Sequence, residues 1–322
     1  MKRFNHFIKA IGLELLKNKF FATSYFTYWL RPKNASNYTM QLTGMYGGGQ
    51  MTNVQFAILL QGLIKKEYNF TLETAKLYKN YYPEAALILS VWDSEPESLL
   101  EEFRKIGCIV CVSKTFEKKS GYGSINLQRQ TTLTGVNKAM ELGCTHLAKT
   151  RTDQRICVPD MLSYLLNLQK VFPIKIKSSA QERIISCSTG TFSNRLYNVS
   201  DLFLFGTIQD MYRYFSCPLD ERDEAVPQKY DDQSDQIEYS KLRHGEIYFA
   251  SHYIESCGFE LKWTVEDSSH YIKELFLIVD SESIDQYWAK YTDLEYRWRR
   301  YQPDVLQQIT FKNWLNLYCA EE

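Results

Sequence analysis

PEAALILSVWDSEPESLLEEFRKIGCIVCVSKT, residues 83 to 115, holds the pattern that decides the fold. An apolar run, ALILSVWDSE (86–95), reads as a strand that breaks at Asp93. ESLLEEFRKIG (97–107) repeats its apolar residues at helical spacing and ends on Gly107, which suits a helix C-cap. CIVCVSKT (108–115) is β-like again. A strand, a short helix and a strand joined by a few residues can only be a right-handed crossover between parallel strands.

The same alternation extends in both directions. VQFAILLQGLI (54–64) is an apolar strand ending at Gln61-Gly62, and FTLETAKLYKNYYP (70–83) is a helix opened by Thr71 and closed before Pro83. After the polar loop FEKKSGYGS (116–124) comes the helix NLQRQTTLTGVNKAMELG (126–143), then a fourth strand, THLAK. This predicts an α/β fold with a doubly wound, mostly parallel sheet, in which ligands bind outside the carboxyl ends of the strands. Those ends carry Gln61, Asp93, Lys114 and the Arg151–Asp153 group.

The second half is less regular. Helix-like MLSYLLNLQKVF (161–172) is followed by apolar RIISCS (183–188) and VSDLFLFG (199–206). A polar, acidic loop then leads to a helix in HGEIYFASHYIESCG (244–258) and to an aromatic, helical tail. The expected division is an amphipathic helix and lead-in over 1–52, an α/β domain over 53–215, and a mostly helical C-terminal region over 216–322.

Bulk properties exclude several classes. The 322 residues are 44% hydrophobic and 24% charged, ordinary for a globular protein with a real core. Lys and Arg total 38 against 38 Asp and Glu, so no global field favours nucleic acid, and an anion site must be local. The eight cysteines are scattered through apolar runs. Cys108 and Cys111 form a C-x-x-C within a strand, where positions i and i+3 point to opposite faces, and no second pair follows at zinc spacing. They read as buried thiols in a reducing, cytoplasmic compartment. GMYGGGQM (44–51) lacks phosphate-loop spacing and precedes the first strand, so it reads as a flexible lead-in. The N-terminal KRFNHFIKAIGLELLKNKFF groups Phe4, Phe7, Ile8, Ile11, Leu15 and Leu16 on one helical side, with Lys9, Glu14 and Lys17 breaking the run. It is neither a spanning helix nor a secretory signal; it either packs on its own domain or lies on an anionic membrane surface.

THLAKTRTDQRI (145–156) packs cations around one carboxylate at a strand end. It is either an Arg–Asp ion pair, contributing under ~1 kcal/mol, or an anion site. Read with the rest of the chain, the stretch resembles a motif of the WavE-type lipopolysaccharide-biosynthesis family. The pieces that carry the resemblance are Gln61-Gly62, PEAALILSVWDSE (83–95), Asn126-Leu127-Gln128-Arg129-Gln130, KTRTD (149–153), SDLFLFG (200–206) and HGEIYFASHY (244–253), in family order over about 53–258.

The resemblance implies a GT-A-like glycosyltransferase. Its substrates would be a nucleotide-sugar donor and a bacterial cell-surface glycan or glycolipid acceptor (lipopolysaccharide or capsule). It would work at the cytoplasmic face of the membrane, with no nucleic-acid partner. In that reading Gln61, Gly62, Asp93, Asn126, Arg129 and Arg151 bind donor, and Asp153 keeps the last carboxylate of a D-x-D and holds Mg²⁺ or Mn²⁺. Arg151 replaces the first Asp, which leaves a metal-free variant relying on Arg151 open. Glu246 is the candidate base for an inverting transfer, with Asp201 second. Helix capping is the alternative reading of Asp93 and Glu246, and backbone-amide satisfaction that of Asp201. Two rival functions remain. One is a non-catalytic nucleotide- or glycan-binding scaffold. The other is a sugar nucleotidyltransferase, whose Gly-rich loop is poorly matched by QGLIKKEYN.

Overall fold

The computed structural model describes residues 55–115, 120–222, 235–290 and 307–320. It also describes the backbone of an antiparallel pair, β1 (Ser24–Phe26) and β2 (Leu30–Pro32). The N-terminal helix expected before residue 22, the 44–51 glycine stretch and most of the 218–236 loop lie outside the described residues.

A seven-stranded sheet organises the rest. Its strands are β3 (Phe56–Gln61), β4 (Ala86–Trp92), β5 (Ile109–Ser113), β6 (His146–Arg151), β8 (Ile184–Cys187), β9 (Leu204–Thr207) and β10 (Phe276–Val279). Their order is β10-β8-β9-β6-β3-β4-β5, and every pairing is parallel except those of β9, which runs against both β6 and β8. The helices α1 (Phe70–Tyr81), α2 (Glu97–Lys105), α3 (Ile125–Glu141), α4 (Met161–Val171) and α5 (Ile208–Phe215) connect the strands. This is the expected doubly wound, mostly parallel α/β sheet. Both faces of β3 are covered, and Ala57 to Leu60 are at most 1% exposed, which explains why the strand reads as a continuous apolar run. α3 lies so close to it that a Cβ on Gly135 would come within 2.3 Å of Leu59 Cδ1.

α6 (Gln236–Lys241), α7 (Glu246–Ser256), α8 (Val265–Leu275) and α9 (Phe311–Cys319) form the helical C-terminal part. That part also supplies β10, so the sheet continues past residue 215. α9 begins with a capping box between Thr310 and Asn313 and buries Trp314, whose Nε1 donates to the carbonyl of Phe276 at 2.9 Å. A second small pair, β7 (Gln154–Ile156) with β11 (Gln286–Trp288), was not visible as a pattern, because its partners are far apart in sequence. None of the eight cysteines is in a disulfide; only Cys319 is exposed. No helix among the described residues is long and apolar enough to cross a membrane.

Candidate functional site

β9 decides which residues reach the cleft. Because it is antiparallel to β6, with Leu204 opposite Lys149 and Thr207 opposite His146, its start lies at the carboxyl end of the parallel strands. Asp201, three residues before β9, therefore stands beside the end of β6. It is 6% exposed, and its Oδ2 accepts a hydrogen bond from Gln128 Nε2 of α3. Lys149 points inward from β6, fully buried, and its Nζ donates to the carbonyl of Asp201 at 2.5 Å. Burial pulls the Lys149 ammonium down to about 8, against the favourable charge of Asp201.

The four charges of the KTRTDQR stretch go to three different places. Lys149 enters the core, and Arg155 turns into α1, its Nε donating to Thr74 Oγ1 at 2.9 Å and its guanidinium 4.5 Å from the Phe70 ring centre. Arg151 and Asp153 form a two-pronged ion pair, Nε to Oδ1 at 2.9 Å and Nη2 to Oδ2 at 3.1 Å. Trp288 Nε1 donates to the same Oδ2 at 3.1 Å, and its ring lies 5.6 Å from the Arg151 guanidinium. Burial alone would raise the Asp153 carboxyl; the Arg151 fork and Trp288 outweigh it and hold it below the usual range. Arg151 keeps about a third of its side chain exposed, so the pair lies at the rim of the cleft.

Glu246 opens α7 after Gly245, and its charge interacts with those of Asp201 and Arg151. Burial first, and the charge of Asp201 second, push its carboxyl up to about 7, while Arg195 and Arg151 pull the other way. Tyr214 of α5 is fully buried, its hydroxyl has no hydrogen-bond partner among the described residues, and both Asp201 and Glu246 act on it. His244 is held down by burial and by Arg195 and Arg222. The arrangement pairs one carboxyl that exchanges its proton near neutrality with a second carboxylate and a guanidinium.

The other residues expected to bind donor make the following contacts. Gln61 Nε2 donates to Thr131 Oγ1 at 2.7 Å, tying β3 to α3. Gly62 turns the chain at φ +121°, where a Cβ would crowd Thr152 Oγ1 at 3.2 Å. Asn126 is 2% exposed and spends both ends of its amide on the backbone of Asp220, at 2.8 Å each, so its side chain positions a loop. Arg129 Nε donates to the carbonyl of Cys217 at 2.6 Å. Asp93 is exposed beyond β4; its Oδ1 accepts from Thr115, leaving Oδ2 without a partner among the described residues.

A divalent cation on Asp153 does not fit the side chains around it. Both carboxylate oxygens already accept hydrogen bonds from Arg151 and Trp288, and the nearest charge is a guanidinium. Among the described residues no three His, Cys, Asp or Glu side chains are grouped to hold a metal. The positive charge at this strand end comes from Arg151.

Sequence reasoning missed Gln128, Trp288 and Arg195. Gln128 lies inside the quoted N-x-x-R-Q run, so its place on α3 was available. Trp288 and Arg195 had no signal, since each reaches the site through a contact made by a distant segment.

No known protein family matches the chain, and no curated protein is similar enough in sequence to count as a relative. Solved structures that resemble it include HddC from Yersinia pseudotuberculosis, at 8% identity and a TM-score of 0.32, covering 56% of this chain and 87% of that one. They also include a 4-diphosphocytidyl-2C-methyl-D-erythritol synthase, at 12% identity and 0.31, covering 58% and 95%. A structure described as a nucleotide-diphospho-sugar transferase from Desulfovibrio desulfuricans G20 follows at 9% and 0.30, covering 62% and 74%. Similarities this remote carry neither activity nor substrate over to this chain.

Proposed function

We propose that the protein transfers a sugar from a nucleotide-sugar donor to a hydroxyl of a growing bacterial cell-surface glycan. The observation that carries this reading is the meeting of Asp201 and Glu246 with the Arg151–Asp153 pair at the carboxyl end of β6. In the reaction, Glu246 takes the proton of the attacking acceptor hydroxyl, whose oxygen forms the new bond to the anomeric carbon. The bond from that carbon to the diphosphate oxygen breaks, and the diphosphate leaves with its electron pair. Arg151 faces the charge that develops there, because guanidinium binds phosphate oxygens in a fork. Asp201, fixed by Lys149 and Gln128, raises the proton affinity of Glu246 and so sharpens the base. The Oδ2 of Asp93, which has no partner among the described residues, would take a ribose or base hydrogen bond. The glycan acceptor and a site of action at the inner membrane face rest on the family resemblance alone.

A panel of UDP-, GDP- and CMP-sugars, scored by thermal shift with EDTA and with Mn²⁺, tests the reading. A ligand at 100 times its Kd stabilises by about 2.7 kcal/mol, which is readily seen as a rise in Tm. Stabilisation by one nucleotide sugar in EDTA is expected. No response to any of them removes the reading, and a response only in Mn²⁺ replaces Arg151 with a metal.

A further inference from the structure

A second guanidinium acts on Glu246, and among the described residues it is not committed to a carboxylate. Arg195 comes from the β8–β9 connection that also carries Asp201. Its Nε donates to Gln236 Oε1 of α6 at 2.7 Å. Its guanidinium lies 4.5 Å from the ring centre of Tyr239 and 5.5 Å from that of Phe192. These contacts fix the group in place and use a single N–H. Nη1 and Nη2 have no hydrogen-bond or ion-pair partner among the described residues.

The contrast with Arg151 is chemical. Arg151 is forked onto Asp153 with both bonds made. Arg195 forks onto no carboxylate among the described residues, although its charge acts on Glu246 and His244 and is felt by Tyr239, which also feels Glu246. A guanidinium pinned by an amide and two aromatic rings, with its outer edge free, is pre-organised to bind two oxygens of a carboxylate or phosphate. Were Arg195 there only to balance the carboxyl pair, it would be expected to close onto Asp201 or Glu246, and no such ion pair forms.

The wall it hangs from indicates which substrate it meets. Arg151 belongs to the end of β6 and to β11, through Trp288. Arg195 is held by α6, and the chain leaving α6 leads within a few residues to Glu246 at the start of α7. The base and Arg195 therefore share one wall, and the base must face the acceptor. We propose that the acceptor is an anionic glycan, and that Arg195 grips its carboxylate or phosphate oxygens beside the hydroxyl that Glu246 deprotonates. This rests on the glycosyl-transfer reading, because it takes Glu246 to face the acceptor.

The test measures binding to the full-length protein and to Arg195→Ala and Arg195→Lys. The probes are methyl glucuronide, methyl glucoside 6-phosphate and neutral methyl glucoside, with UDP, GDP and CMP measured separately. Wild type is expected to bind one of the two charged glycosides at least about tenfold more tightly than the neutral one. Which of the two is preferred tells carboxylate from phosphate. Arg195→Ala should erase the preference, Arg195→Lys should keep part of it, and all three proteins should bind nucleotide alike. Should Arg195→Ala fail to fold, Arg195→Gln carries the same comparison. Equal binding of all three glycosides by wild type overturns the inference. A tenfold loss of nucleotide affinity in Arg195→Ala also overturns it and assigns the guanidinium to the donor diphosphate. A protein that binds none of the nucleotides removes the glycosyl-transfer reading beneath it.

Discussion

The two halves of the carboxyl edge treat their polar residues in opposite ways. Beside β3 and the start of α3, Gln61 is spent on Thr131 and Asn126 on the Asp220 backbone. Across β6, β9 and α7, Arg151, Asp153, Asp201 and Glu246 act on one another, and Glu246 keeps a proton affinity far from that of a free carboxylate. Both halves look alike in the sequence, as polar residues ending apolar runs. The difference teaches that a strand-end polar residue is structural when backbone groups saturate it. It becomes chemical when its neighbours are other charges that desolvation forces to interact.

The sharpest way to break the comparison is to remove the proton acceptor. Glu246→Gln should lower kcat about 10²–10⁴-fold, the usual value of general-base assistance, with donor affinity unchanged. A smaller loss, or one confined to KM, would make Glu246 a helix-terminus residue and pass the role to Asp201.

Asn126→Ala tests the saturated half. It removes two hydrogen bonds and leaves the buried N–H and carbonyl of Asp220 unpaired, so about 2–4 kcal/mol of stability should go. Chemical denaturation reads the loss directly. Nucleotide affinity, measured on the folded fraction, should stay the same; a fall there would return Asn126 to donor binding.

Asp153→Asn is the case between. It leaves Arg151 without its anion at a site that is partly open to water, at a cost of about 1–3 kcal/mol. Melting temperature should drop by a few degrees in EDTA and in Mn²⁺ alike. An unchanged melting temperature with loss of Mn²⁺ binding would restore the metal-ligand reading.

Protonation gives a smaller effect with a definite sign. Glu246 has its carboxyl raised from 4.5 to about 7. The folded protein therefore binds a proton between those values that the unfolded chain has released, and stability falls as pH rises through that window. With screening allowed for, the change is on the order of 1 kcal/mol, and it should vanish in Glu246→Gln. Turnover should move the other way, rising with pH as the base ionises. A pH–rate profile flat from 5 to 8, about the range in which such a group titrates, would separate Glu246 from the proton transfer.

Asp93→Ala should have the least effect on stability, under ~1 kcal/mol, since it loses only exposed bonds to Thr115. Its informative readout is nucleotide affinity, which should weaken if Oδ2 meets the ribose or base.

Periodicity alone made the framework legible. The alternation from Phe56 to Arg151 gave four parallel strands and three crossover helices, because hydrophobic spacing is a local property and short connections leave one handedness. The carboxylates were legible too: Asp201 inside an apolar run, Asp153 among cations at a strand end, and Glu246 at a helix start. Their meaning was not. Asp201 reaches the cleft only because β9 runs backward between two parallel neighbours, a fact about pairing that its own residues do not encode. Asp153, paired with its neighbour Arg151, also accepts a hydrogen bond from Trp288, 135 residues away. Arg195 is held by Gln236 and Tyr239, more than 40 residues further along the chain. Strand direction and desolvation depend on which distant segments pack together, and only the tertiary structure decides that.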